Sequence, residues 1–244
     1  PIFQQSPYLM GNSWFQFQQF RIDQDRCAMK ISTDAILLGA LANAEKPNQI
    51  LDIGTGTGVI ALMLAQRFAE AKVTAVELDS DAASQAQENI SQSPFGSRMN
   101  LCQGRIQDFS PGEKFDLIVS NPPYFPDHLK SSDSKRNQAL HTDSLSFEEL
   151  IDRVLALLNP DGKFWLILPP RQMEDFADLA KKSDLKDFRR ISVRDRADKS
   201  IFRVVAAFSK VEKSSDAQEL ILKDSSGTYT SAYKSLLSGF LLGY

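Results

Sequence analysis

The chain has 244 residues, 42% hydrophobic and 24% charged, with 28 Lys and Arg against 31 Asp and Glu for a net charge of -3. That balance excludes intrinsic disorder and fibrous repeats, and at 27.3 kDa the chain can bury a full core without staples. Two cysteines and two histidines, Cys27, Cys102, His128 and His141, form no zinc-spaced cluster and no disulfide framework, which implies a reducing, cytoplasmic setting and no metal. There is no signal-peptide profile, and no run approaches the ~18 apolar residues of a membrane span.

In chain order the pattern predicts a strand over residues 14–22 and a helix over 34–44. A strand at 49–53, a helix at 59–68, a strand at 73–77 and a helix at 80–90 capped by Ser80 follow. Strands at 99–102 and 115–120 precede an amphipathic helix, 147–158, stopped by Asn159-Pro160. A strand at 162–168 and a helix from Pro169-Pro170 to Lys182 come next. Two strand-like runs, 188–193 and 201–209, lie too close together for a parallel crossover, so they should form an antiparallel hairpin on the sheet edge. A strand at 219–223 and a helix at 230–242 end the chain. The alternation predicts an α/β fold with a mostly parallel sheet. We expect one domain over 1–244: an extension (1–45), a core (46–209), and a C-terminal strand and helix (210–244).

Asp52-Ile53-Gly54-Thr55-Gly56-Thr57-Gly58 leaves a strand and opens a helix, placing glycines where backbone turns sharply and approaches a ligand. The spacing G-x-G-x-G, with Val59 following, breaks the register of the dinucleotide fingerprint. Asp52 suits a cationic or amino-acid ligand better than a phosphate. Glu77, at the end of the next strand, can accept hydrogen bonds from both hydroxyls of a ribose. Together they select S-adenosylmethionine over a nucleotide phosphate.

The run after residues 115–119 reads Ser120-Asn121-Pro122-Pro123-Tyr124, at a strand end where open α/β sheets bind ligands. Such an N-P-P-Y tetrapeptide arises by chance in roughly one chain of this length in a thousand. Its chemistry suits a planar nitrogen. The side-chain carbonyl of Asn121 and the backbone carbonyl of Pro122 can accept both N–H bonds of an amine, favouring a nucleophilic nitrogen as the transition state forms. Pro122 and Pro123 stiffen the turn, and Tyr124 offers a face for stacking a base.

A parallel sheet finished by an antiparallel hairpin resembles the Rossmann-like class I methyltransferases, whose resemblance implies a seven-stranded sheet, here with short N- and C-terminal extensions. It also implies that Ile106 and Gln107 flank the cofactor adenine, that Asp108 accepts from its exocyclic amine, and that Leu78, like Asp52, Gly54, Thr55, Gly56, Gly58, Glu77 and Asn121, binds cofactor. More narrowly, F-Q-F-Q-Q-F at 15–20, D-R-C-A-M-K-I-S-T-D at 25–34, D-I-G-T-G-T-G, A-V-E-L, A-Q-E-N-I and S-N-P-P-Y-F resemble bacterial tRNA(Val) (adenine-N6)-methyltransferases. The resemblance covers nearly the whole chain, weakening over 127–143 and near the C-terminus. It implies methyl transfer to the exocyclic amine of adenine 37, next to the anticodon, with tRNA as partner. Lys30 and Thr33 become candidates for the methionine carboxylate or the target nucleotide.

A net charge of -3 argues at first against an RNA partner. Residues 181–203 nevertheless carry nine basic and four acidic residues, a local +5 that leaves -8 for the rest. Arg189, Arg190, Arg194 and Arg196 are the expected RNA contacts there, with Arg26 and Lys30 nearer the N-terminus. Lys130, Lys135 and Arg136 are expected in a substrate loop after the N-P-P-Y motif. Glutamine N5-methylation of release factors and guanine-N2 methylation of ribosomal RNA are the rival readings. The first goes with a helical domain and the second with a duplicated domain ahead of the core, where this chain has only about 45 residues with a strand and aromatics.

Overall fold

The structure, a computed structural model, describes residues 13–27, 30–123 and 145–244. The single strand expected over 14–22 is two, β1 (Trp14–Gln16) and β2 (Arg21–Asp23), paired antiparallel. The break has a packing cause. Phe17 and Phe20 both turn inward and stack, with ring centroids 4.4 Å apart and planes 12° from parallel. The helix α1 (Thr33–Leu41) starts one residue earlier than expected and is capped by Ser32, whose hydroxyl accepts from Ala35 N–H at 3.2 Å.

The core follows as β3 (Gln49–Ile53), α2 (Val59–Arg67), β4 (Lys72–Glu77), α3 (Ser80–Gln92), β5 (Met99–Gln103) and β6 (Phe115–Ser120). The cap of α3 is Asp79 rather than Ser80; its carboxylate accepts from Ala82 N–H at 2.8 Å. Then come α4 (Phe147–Leu157), β7 (Leu158–Leu168), α5 (Pro170–Lys182), β8 (Lys186–Arg194), β9 (Ile201–Ser209), β10 (Asp216–Ile221) and α6 (Ser231–Leu237).

The main sheet has eight strands in the order β10-β8-β9-β7-β6-β3-β4-β5, one more than expected. The β8–β9 hairpin is antiparallel as anticipated but is not the edge, because β10 pairs parallel to β8. Its first half is polar, so hydrophobic alternation marks only residues from 219 onward. What seats it is charge across the strands: Asp216 faces Arg189 in register, and Arg194 binds Glu219 at 2.6 Å.

Both faces of the sheet are covered. The β1–β2 ribbon, α1, α2 and α6 share one core with Leu117, Val119, Trp165 and Val205, and α4 and α5 share another with Leu51, Ile118, Phe164 and Phe208. Alternate residues of each strand thus feed opposite cores. The chain runs outward from β3 through β4 to β5, then returns to β6 on the other side. That reversal opens a crevice at the carboxyl ends of β3 and β6.

Candidate active site

Beyond β3 the chain turns on three left-handed residues, Gly54 (φ +72°), Gly56 (φ +57°) and Gly58 (φ +83°), a path closed to most side chains. Gly54 and Thr55 donate their N–H groups to the Val76 carbonyl at 2.9 and 3.1 Å. Beneath the loop lies Asp52, fully buried. Its Oδ2 accepts from the Thr55 hydroxyl at 2.5 Å and from Ala61 N–H at 3.2 Å, while Oδ1 has no hydrogen-bond partner. Burial pushes this carboxyl up to about 7, against the pull of the Thr55 and Ala61 bonds and helped by the charge of Glu77.

Glu77 ends β4 half-buried. Its Oε2 accepts from Gly56 N–H at 2.7 Å and its Oε1 from Asp79 N–H at 3.0 Å, so the carboxylate is fixed with lone pairs to spare on each oxygen. At the end of β6 the Ser120 hydroxyl donates to the Ile53 carbonyl at 3.0 Å, holding the start of the Asn-Pro-Pro turn against β3.

A cavity of about 640 Å³ joins these elements, lined by Ile53 and Gly54, Glu77 and Leu78, residues 103–107, Ser120, Pro122, Pro123 and Leu145. Its lining offers an exposed apolar side chain, Leu78, which leaves 49% of its surface open, beside the carboxylate of Glu77. Asn121 sits half-buried between two lining residues. A second cavity, about 660 Å³, lies at the opposite end of β3 and β6 against Asn48 and Asp116, and no expected site residue lines it.

Ile106 and Gln107 line the first cavity, while Asp108 is exposed and outside the lining. Lys30 and Thr33 do not line it either. Tyr124, Lys130, Lys135 and Arg136 lie outside the described residues, as do both histidines. Arg26 pairs with Glu88 on α3. The basic hairpin is partnered throughout: Arg189 with Asp216 (2.7 Å), Arg190 with Asp187 and Glu174 (both 2.6 Å), Arg194 with Glu219 and Arg196 with Asp198 (3.5 Å).

Sequence reasoning gave no role to two buried polar side chains of α3, Gln85 and Asn89. Both fall on the face that also buries Ala82, Ala86 and Ile90, and amides on an apolar stripe are the signal that could have found them.

The Methyltransferase small domain family matches residues 30–182, more than half of the chain. The tRNA1(Val) (adenine(37)-N6)-methyltransferase of Pedobacter heparinus is 44% identical over 230 residues, covering 94% of this chain and 98% of that protein. The chain belongs to that family. Among solved structures, a predicted O-methyltransferase of Agrobacterium tumefaciens superposes with a TM-score of 0.67 at 20% identity, over 85% of this chain and 96% of the other. The glycopeptide N-methyltransferase MtfA, solved with (S)-adenosyl-L-methionine, gives 0.52 at 14% identity over 74% and 87%. These two likenesses carry the class I methyltransferase fold alone; the family rests on the close relative. Among the described residues no helix is long and apolar enough to cross a membrane, and no group of His, Cys, Asp or Glu could hold a metal ion.

Proposed function

We propose that this chain methylates the exocyclic N6 amine of adenine 37 in valine tRNA, using S-adenosylmethionine. The observation that carries the reading is the meeting, in one cavity, of Gly54 at the head of the glycine loop, Glu77, and Ser120, Pro122 and Pro123 of the turn. The residues present suit the cofactor. Glu77 accepts from two ribose hydroxyls, Leu78 and Ile106 provide apolar surface for an adenine, and the buried Asp52 biases the loop toward a cation. S-adenosylmethionine supplies an electrophilic methyl group on a sulfonium.

Asn121 and Pro122 do the rest. The amide carbonyl of Asn121 and the backbone carbonyl of Pro122 accept the two N–H bonds of the adenine amine, drawing its lone pair out of the ring as the methyl group approaches. The amine is neutral at the outset and its proton leaves after transfer, so no general base is required. A target base must be splayed from its stack to reach this turn, and an anticodon loop permits that at modest cost.

For the RNA, the β8–β9 hairpin is the favoured platform. Arg194 pairs with Ile201, beyond the Leu168–Val204 pair that ends β7, so Arg194 and Arg196 project past the catalytic edge, with Arg189 and Arg190 farther back. Exposed ion pairs of this kind are worth at most about 1 kcal/mol, so phosphates can replace Glu219 and Asp198 as partners. Arg26, Lys30, Lys130, Lys135 and Arg136 complete the proposed contacts, and Thr33 and Asp108 the proposed cofactor contacts.

The test is incubation with isotopically labelled S-adenosylmethionine and total tRNA from a strain lacking the gene, followed by nucleoside mass spectrometry. Labelled N6-methyladenosine confined to valine tRNA is expected. Label in ribosomal RNA or protein instead would overturn the substrate reading while keeping the cofactor site.

A further inference from the structure

The glycine loop is braced from below by Asp52, but its outer side rests on a residue with no assigned role. Asn89, only 1% exposed, lies on α3 between the loop and the β1–β2 ribbon. Its amide nitrogen donates to the Thr57 carbonyl and to the Asp23 carbonyl, each at 2.9 Å, and its Oδ1 accepts from Asp23 N–H, also at 2.9 Å. One side chain therefore fixes the Thr57–Gly58 peptide at the mouth of α2 and pins the ribbon's last residue to the same point. One turn earlier Gln85 extends the seam, its Oε1 accepting from Arg26 N–H at 3.2 Å.

We infer that Asn89 is a positioning residue: it touches neither cofactor nor substrate, yet sets the cofactor loop and ties it to the N-terminal ribbon. Three features single it out. A buried amide between two backbone carbonyls cannot be replaced by an apolar group without leaving those carbonyls unpaired. Thr57 is itself 3% exposed, so water is not at hand to take over its bond. The contact also falls within two residues of Thr55, the side chain that couples the loop to Asp52.

The ribbon has a second, separate tether, which supplies the control. Gln18 donates through its amide to the carbonyls of Ser238 and Leu241, both at 2.7 Å, far from the glycine loop. Asn89→Ala and Gln18→Ala both loosen the ribbon; only the first frees the loop. The inference rests on the cofactor reading of that loop, so calorimetric binding of S-adenosylhomocysteine to the wild-type chain comes first. Failure there would overturn the cofactor site itself. With binding established, Asn89→Ala is expected to weaken S-adenosylhomocysteine at least tenfold and to raise KM for S-adenosylmethionine by a similar factor. Gln18→Ala should stay within twofold of wild type in both, even at an equal fall in Tm. Should Asn89→Ala fail to fold, Asn89→Ser, whose hydroxyl can reach one carbonyl, is read the same way with an expected loss of threefold or more. Equal affinities in the Asn89 and Gln18 variants at matched Tm would show that Asn89 is merely structural and overturn the inference.

Discussion

Asp52 offers the sharpest quantitative test, because its carboxyl is moved against the usual direction for a folded protein. Raised from 3.8 to about 7, it holds a proton in the native state that the unfolded chain has already released between about pH 4 and pH 7. The folded state binds more protons across that window, so stability falls as pH rises through it and stays low above pH 7. At 1.36 kcal/mol per pKa unit the full effect is about 4 kcal/mol, a ceiling that local relaxation reduces. Asp52→Asn removes the charge while its amide oxygen can still accept from Thr55 and Ala61. The variant should therefore be more stable than wild type at pH 8, by up to about 4 kcal/mol, and the gap should close toward pH 4. At about 2–4 °C per kcal/mol for a chain of this size, the Tm difference at pH 8 reaches roughly 8–16 °C. Urea titrations from pH 4 to pH 8.5 in the absence of cofactor measure it. A gap that does not change with pH, or a variant less stable than wild type at pH 8, would refute the argument. The same substitution should weaken S-adenosylmethionine, a sulfonium cation, more than the uncharged sulfur of S-adenosylhomocysteine.

Asn121→Ala should lower kcat by about 10²–10³-fold, as measured by single-turnover methylation at saturating cofactor, because it removes an acceptor that matters as the nitrogen becomes nucleophilic. Gly54→Ala places a methyl group where no protein atom lies within 4 Å, so unfolding should register only roughly 1–2 kcal/mol of left-handed strain. Cofactor binding, which occupies that space, should fall at least tenfold. Neutralising Arg194 and Arg196 together should weaken RNA binding and flatten the dependence of log K on log salt by about two contacts' worth, roughly 1.4 for a single-stranded loop. An unchanged slope would move the RNA surface elsewhere.

Much of the site was legible because its parts are local. Asp52, the three glycines and Glu77 sit at strand ends that hydrophobic runs mark, and Asn121-Pro122-Pro123 follows the apolar strand 115–120 directly. The rest depends on partners brought from far along the chain. The charge of residues 181–203 looks unbalanced in sequence because Glu174, Asp216 and Glu219, which pair with Arg190, Arg189 and Arg194, lie outside that window. The start of β10 and its place at the sheet edge escaped for the same reason, although a strand was expected from 219: its polar first half is seated by cross-strand charge rather than by alternating apolar residues. Asn89 stood in a recognised sequence block, but its three backbone partners belong to segments 32 and 66 residues away.

The latch between Gln18 and the C-terminal turn has a consequence for how the molecule is made. Phe17 bridges to Leu241, and Gln18 N–H donates to the Phe240 carbonyl at 2.8 Å, so one of the first described segments docks on one of the last. A nascent chain emerging from the ribosome as far as Ile221 has every strand of the eight-stranded sheet, yet the turn that receives Phe17 and Gln18 has not been synthesised. Until Leu241 is clear of the exit tunnel, the ribbon is held from its α3 side, through Asn89 and Gln85, and Phe17 lacks its bridge to Leu241. Emergence of residues 238–241, rather than completion of the sheet, is then the event that docks the ribbon's far end.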